Sequence, residues 1–424
     1  MIKKIIALLL CVAMSTTFFI GCNENDNDNE ENNENKVMKI GCFNDPFVNE
    51  DSYKTLAASG INRVFVNKTR SHSAVLNILN YCDSLDIDVV VLSSINNKVL
   101  YNNDYMSHKS FAGINIKDEP SADEYETIAE KISTFESIYT DKLFYVNLFP
   151  DPETNYDKLG TENYEEYIEE YCETVLEKLS GEKVLSFDIY PLERSGAYNI
   201  VQSRYLSNLE IVAEYAKKYG ASPQVYLQAM GYAKRRQPDL VDLNFQAYCS
   251  FAFGYQSLIY FCYYTPGPNS EFTEEDYAIV DRENNPTEIY DYVKSLNDEI
   301  FKFDGAYLNY KWQETIPVYG DNDSDDQLCL ALMNNQKDKV GNIKTVNAQY
   351  DAVIGHFKNG NKNAYMVTNF TEPTKRLTNK VILEFANDSS LEIYIDGEKQ
   401  AMQTNGGVIE LSIPSGEGVF VIEN

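Results

Sequence analysis

Between residues 37 and 303 the chain switches repeatedly between two hydrophobic periods. Short runs rich in β-branched and aromatic residues read as strands at 37–42, 61–67, 88–93, 111–118, 142–148, 184–190, 224–230 and 258–264. Between them, apolar residues three and four apart read as helices at 51–59, 74–85, after 120, 164–179, 205–219, 240–253 and 287–301. Eight strands in alternation with helices predict a (β/α)8 barrel. An open doubly wound sheet also alternates, but no glycine-rich phosphate fingerprint follows the first strand, so the barrel is the expected fold.

Beyond residue 303 the period changes to two. Alternating runs at 350–357, 363–369, 380–385, 391–395, 407–413 and 418–422 are separated by turns rich in Asn, Asp and Gly. That spacing predicts a β-sandwich over 304–424 behind a barrel over 37–303.

The first 22 residues read as a targeting segment. Lys3 and Lys4 precede an apolar run at 5–12, and FFIGC at 18–22 ends in Cys22. This ending resembles the bacterial lipoprotein signal, in which the cysteine becomes the lipidated first residue. Residues 23–36, nearly all Asn, Asp and Glu, read as a disordered, self-repelling tether. The expectation is an exported lipoprotein held at the cell membrane or outer-membrane surface by lipid on Cys22 alone.

A net charge of −29 argues against nucleic acid and anionic membrane faces as partners. Thirty-two Tyr and 21 Phe supply planar surfaces suited to stacking on sugar rings. Cys42, Cys82, Cys172, Cys249, Cys262 and Cys329 are widely spaced, without a CxxC or Cys/His pattern, and are expected to be free and buried. His72, His108 and His356 bear no relation to one another, so neither a metal nor another cofactor is implied.

The chemistry concentrates at FAGINIKDEP, residues 111–120. A strand runs into Asp118 and Glu119, Pro120 blocks further pairing, and Ser121 with Glu124 forms a capping-box pattern for the next helix. Carboxylates at the C-terminal end of a strand are where α/β barrels keep their chemistry. Glu119 is the expected general acid, its proton held by the neighbouring charge of Asp118. The competing role is structural: capping the helix or pairing with a Lys or Arg.

These strand ends, together with YVNLFP at 145–150, SFDIYP at 186–191, IYFCYYT at 259–265 and the trailing sandwich, resemble the barrel glycoside hydrolases of the large retaining clan that includes family 42 β-galactosidases. The resemblance puts Glu119 where that clan keeps its acid/base, with Asp118 in place of the usual Asn. It also implies a nucleophilic Glu at the end of the seventh strand, where this chain has Gln228. An amide cannot be that nucleophile. The second carboxylate is therefore expected from Asp188, as nucleophile or base, ahead of Glu193 and Asp45. Asn67, Asn147, Gln228 and Tyr264 are expected polar contacts to a sugar. Tyr190 and Trp312 are expected to stack on one, unless Trp312 sits at the interdomain seam. The implied function is hydrolysis of an oligo- or polysaccharide. Its rival is a non-catalytic glycan-binding barrel, and loops 96–109 and 266–276 are expected to set specificity.

Overall fold

The structure is a computed structural model that describes residues 36–66, 70–93, 104–322 and 327–424. The expected signal segment with Cys22, nearly all of the tether, Asn67 and much of loop 96–109 lie outside the described residues.

Eight parallel strands close into a barrel. In chain order they are β1 (Lys39–Phe43), β2 (Arg63–Val66), β3 (Asp88–Leu92), β4 (Phe111–Asp118), β5 (Leu143–Leu148), β6 (Val184–Asp188), β9 (Ser222–Gln228) and β10 (Ser257–Phe261). A hairpin, β7 (Leu192–Ser195) and β8 (Tyr198–Val201), is inserted after β6. Closure comes from β1 against β10, with Gly41 opposite Ile259. Around the barrel lie α1 (Glu50–Ala58), α2 (His72–Leu85), α3 (Tyr125–Glu136), α4 (Tyr164–Thr174), α5 (Tyr205–Tyr219), α6 (Leu240–Ala252) and α7 (Glu288–Tyr307).

Strand alternation explains how the layers fill. Val64, Val66, Val89 and Val91 belong to the cluster shared with the helices. Their neighbours Phe65 and Val90 join Tyr145, Tyr226 and Ile259 in a separate interior cluster. On α3, Tyr125, Ile128, Ile132 and Phe135 are buried as their spacing predicts. Each such side chain contributes about 1.5–3 kcal/mol on burial. Packing leaves no slack at Gly113, where a Cβ would meet the Leu143 carbonyl oxygen at 2.0 Å.

The C-terminal region is a sandwich of a six-stranded and a three-stranded antiparallel sheet. The first has the order β11 (Lys311–Val318), β13 (Ala352–Asn359), β14 (Lys362–Asn369), β19 (Gly418–Glu423), β16 (Ser390–Ile395), β17 (Glu398–Gln403). The second is β12 (Ile343–Ala348), β15 (Asn379–Phe385), β18 (Val408–Ile413). Ile354, Val367, Leu383, Leu411 and Val421 fill the space between them. The opposite face of the larger sheet joins the barrel core: Phe357 and Phe420 meet the Tyr307 ring at 5.4 and 5.5 Å. Backbones approach closely here, since a Cβ on Gly355 would sit 1.9 Å from the Ala252 oxygen. Residues 36–424 accordingly form one compact unit.

The seam also carries charge. Arg236, 4% exposed, donates to both Asp242 of α6 and Glu372 of the sandwich. All six described cysteines are buried. Among the described residues, no helix is long and apolar enough to cross a membrane.

Candidate active site

The C-terminal ends of β4, β5 and β6 bring three acidic groups and one amide together. Glu119 follows β4 with φ +46°, a left-handed conformation that costs a non-glycine residue on the order of 1–3 kcal/mol. Neighbouring bonds hold it there. The Glu119 N–H donates to the Asn147 carbonyl at 2.8 Å, and the Tyr167 hydroxyl donates to the Pro120 carbonyl at 2.7 Å. Glu124 accepts from the Ser121 N–H at 3.1 Å and pairs with Lys117 at 2.9 Å. The helix start is thus supplied by other groups, leaving Asp118 and Glu119 clear of that duty.

Asn147, on β5, is the hub. Its Nδ2 donates to Asp188 Oδ1 at 3.0 Å and to Asp118 Oδ1 at 3.3 Å. Its Oδ1 accepts from the Ser186 hydroxyl at 3.1 Å, which orients the amide with its donors toward the acids. Ser186 belongs to a buried relay. Tyr145 lies 2.7 Å from it, and Gln224 Nε2 donates to it at 3.0 Å. Tyr145 donates to Tyr226 at 3.1 Å, and Ser257 donates to Gln224 at 2.9 Å. A polar network in which members satisfy one another is rigid, and this one fixes the floor of the site.

Glu119 and Asp188 lie within hydrogen-bonding reach of each other. Burial, then the charges of Asp188 and Asp118, push the Glu119 carboxyl up to about 8, against the pull of Lys158. Burial and Asp118 raise Asp188 to about 6, while Asn147, Arg235 and Tyr190 favour its ionised form. Asp118, at the pocket rim, is raised by its surroundings too, with Asn147 and Lys117 opposing. Carboxyls this close cannot all ionise at once, so one of the pair holds a proton through neutral pH.

The pocket they line measures about 250 Å³ and is walled by Phe43, Tyr190, Tyr226, Tyr232, Arg235, Phe261 and Glu271. Phe43 and Phe261 stack at 5.9 Å. Two backbone bonds between Tyr232 and Arg235, at 2.8 and 3.1 Å, tie the loop into a turn around Ala233 (φ +49°) and Lys234. Larger hollows lie elsewhere. One of about 610 Å³ at the seam is lined by Glu210 and Trp312, but Glu210 is taken up accepting from the Asn334 and Asn335 N–H groups.

Five of the residues singled out in the sequence converge here: Asp118, Glu119, Asn147, Asp188 and Tyr190. Gln228 does not. Its Oε1 accepts from the Leu192 N–H at 3.2 Å, and its Nε2 donates to the carbonyls of Arg236 at 2.8 Å and Leu192 at 3.3 Å. The amide is fully buried and spent on loop backbone, so it has no face for a ligand. Tyr264 is also diverted. Its hydroxyl donates to the Arg282 carbonyl at 2.9 Å, and its ring meets Phe47 at 5.4 Å.

Glu193 pairs with Lys234, Asp45 pairs with Arg70, and Trp312 donates to Thr315 beneath Lys217. His72 and His108 face Asp104 and Asp83, and His356 faces Asn363. Tyr226, Tyr232, Arg235, Phe43, Phe261 and Glu271 were not foreseen. Tyr226 carried a signal, being two residues before the end of a barrel strand. Arg235 and Glu271 sit in loops whose path no local pattern specifies.

No protein-family profile and no curated protein sequence matches the chain. Solved structures match at the level of the fold. A family 42 β-galactosidase from G. stearothermophilus, studied as a catalytic mutant, superposes with a TM-score of 0.57 at 9% identity, covering 92% of this chain and 98% of that one. A glycoside hydrolase of family 5 from Bacteroides vulgatus gives a TM-score of 0.45 at 10% identity over 91% and 89% of the two chains. The barrel with its trailing β-domain is thus an architecture also used by a glycoside hydrolase.

Proposed function

We propose that this protein hydrolyses glycosidic bonds, with Glu119 as general acid/base and Asp188 as nucleophile. The observation that carries the reading is the closeness of two carboxyls of unequal proton affinity at the ends of β4 and β6, the strands on either side of β5 in the barrel. Inverting hydrolysis needs roughly 6.5–9.5 Å between its carboxyls to seat a water, whereas double displacement works with a pair roughly 5–5.5 Å apart, and the closeness of Glu119 to Asp188 supports the second. Protonated Glu119 gives its proton to the leaving oxygen as the Asp188 carboxylate forms the bond to the anomeric carbon. Glu119, now ionised, takes a proton from water, and the resulting hydroxide displaces Asp188 from the glycosyl ester. Asn147 steadies Asp188 throughout. Tyr190 and Tyr232 line the pocket with Arg235 against their rings, and Asp118 offers an acceptor for the sugar's hydroxyls.

The barrel shared with the family 42 β-galactosidase supports this assignment. The end of β9 argues for the rival, since Gln228 stands where that resemblance implies a nucleophile. A barrel that binds glycans without cleaving them would keep the same pocket. A screen of aryl glycosides and oligosaccharides separates the two, run on residues 36–424 beside Glu119→Gln and Asp188→Asn. Turnover lost in both variants at unchanged melting temperature is the expected result, and activity surviving Glu119→Gln would overturn the site. Binding without turnover in the unaltered protein favours the glycan-binding reading.

The N-terminal sequence motivates a location as well: an exported lipoprotein anchored through Cys22, with its substrate outside the cell. Metabolic labelling with a fatty-acid probe, lost in Cys22→Ser, tests it.

A further inference from the structure

Arg235 is the anomaly of the pocket. It shares the wall with Asp118, Glu119, Asp188 and Glu271, yet among the described residues it forms no ion pair with any of them. Its guanidinium instead lies against two tyrosine rings, 5.1 Å from the Tyr190 centroid and 4.6 Å from that of Tyr232. Its Nε is buried without an acceptor. A buried donor left unmet is costly, and a charged one more so. The backbone on both sides is fixed, by the Tyr232–Arg235 turn and by the Arg236 N–H donating to the Leu192 carbonyl at 3.0 Å. The group is held in place, near enough for its charge to act on Asp188, yet among the described residues no carboxylate closes an ion pair with it.

The donor and acceptor inventory indicates what is missing. The acids of the wall accept hydrogen bonds from sugar hydroxyls. A guanidinium only donates, and its planar fork matches a group that only accepts, above all a carboxylate. We propose that Arg235 recognises a carboxylate carried by the sugar in this pocket, so that the substrate class is a glycan containing uronic acid residues. Turnover of such a glycan rests on the glycosidase reading above; its binding does not. The surrounding acids make the arginine necessary, because an anion entering among them needs a fixed cation. The proton kept on Glu119 removes part of the repulsion. A sulfate ester presents similar oxygens and is the chemistry to tell apart.

The test is calorimetric titration with oligosaccharides containing glucuronate, galacturonate or mannuronate, their matched neutral counterparts and sulfated counterparts. It uses Glu119→Gln, to suppress turnover, and the same protein carrying Arg235→Met or Arg235→Lys. We expect at least one uronate ligand to bind on the order of 10- to 100-fold tighter than its neutral match. Arg235→Met removes that preference, and Arg235→Lys, with charge but no fork, retains part of it. Equal binding of acidic and neutral ligands overturns the proposal. So does a preference that survives Arg235→Met at unchanged melting temperature, or a preference for the sulfated ligands alone. A uronate preference in a protein that cleaves nothing sinks the catalytic reading and leaves this one standing. Cleavage of neutral glycosides without any anion preference does the reverse.

Discussion

Two glutamates in this molecule are pushed to the same place on the pH scale for different ends. Glu119 at the barrel mouth and Glu417 at the seam are both raised to about 8, burial being the leading cause in each and a second carboxylate contributing. Around Glu417 the groups belong to the protein: Asn244 of α6 donates to it at 2.5 Å, and Glu299 of α7 crowds it. Around Glu119 the protein leaves a cavity, a second acid within bonding reach and a cation with no ion-pair partner among the described residues. A displaced proton affinity records burial. It becomes chemistry only where a reactant can reach the group and another group waits opposite.

The sharpest way to break this contrast is to neutralise each glutamate. Glu119→Gln and Asp188→Asn should each lower kcat by about 10²-fold or more. Glu417→Gln should leave turnover on an aryl glycoside unchanged, and an equal loss from all three variants would erase the distinction. Next in size is the seam itself. Arg236→Met strands Asp242 and Glu372 without their cation, which should cost about 3–5 kcal/mol in urea denaturation, whereas the mouth variants cost little.

A third test reads the mouth by pH. Activity requires Asp188 ionised and Glu119 protonated, so kcat/KM should rise through about 6, fall through about 8, and change up to tenfold per unit on each limb. The smallest effect is at the seam. Glu417 titrates higher in the folded protein than its usual 4.5, so its contribution favours folding below that value and is lost as pH rises toward about 8. Glu417→Gln should therefore raise the melting temperature at pH 8 relative to the unsubstituted protein and bring no such gain at pH 4.5.

The barrel was legible because its strands are short buried runs set between amphipathic helices, and β-branched residues such as Val64, Val89 and Val91 mark them. What escaped was polar or irregular. β17 is EKQAMQ, an edge strand with almost every side chain exposed, so no apolar period reveals it. β11 opens with exposed and half-exposed residues and carries Pro317, and the β7–β8 hairpin is four residues a side. α7 continues to Tyr307, beyond the expected boundary at 303, because Phe303 and Tyr307 are buried against the sandwich. At the site, Asp118, Glu119 and Asp188 could be picked out because strand ends are local features. Gln228 misled for the same reason. A strand end is legible, but its occupation by the backbone of Leu192 and Arg236 depends on loops folded from distant sequence. Arg235 was hidden by the same loop.

The Arg236 clamp bears on how such a protein can change over generations. A residue of the second domain grips the neighbour of the pocket's arginine, and the rings of Phe303 and Tyr307 have their cover from that same domain. A gene fusion that exchanged the sandwich for another would uncover those rings and let the pocket's loop go slack at one stroke. The two halves are therefore a single inheritance: drift in one has to be answered in the other, and substrate preference can shift through substitutions that never touch the barrel.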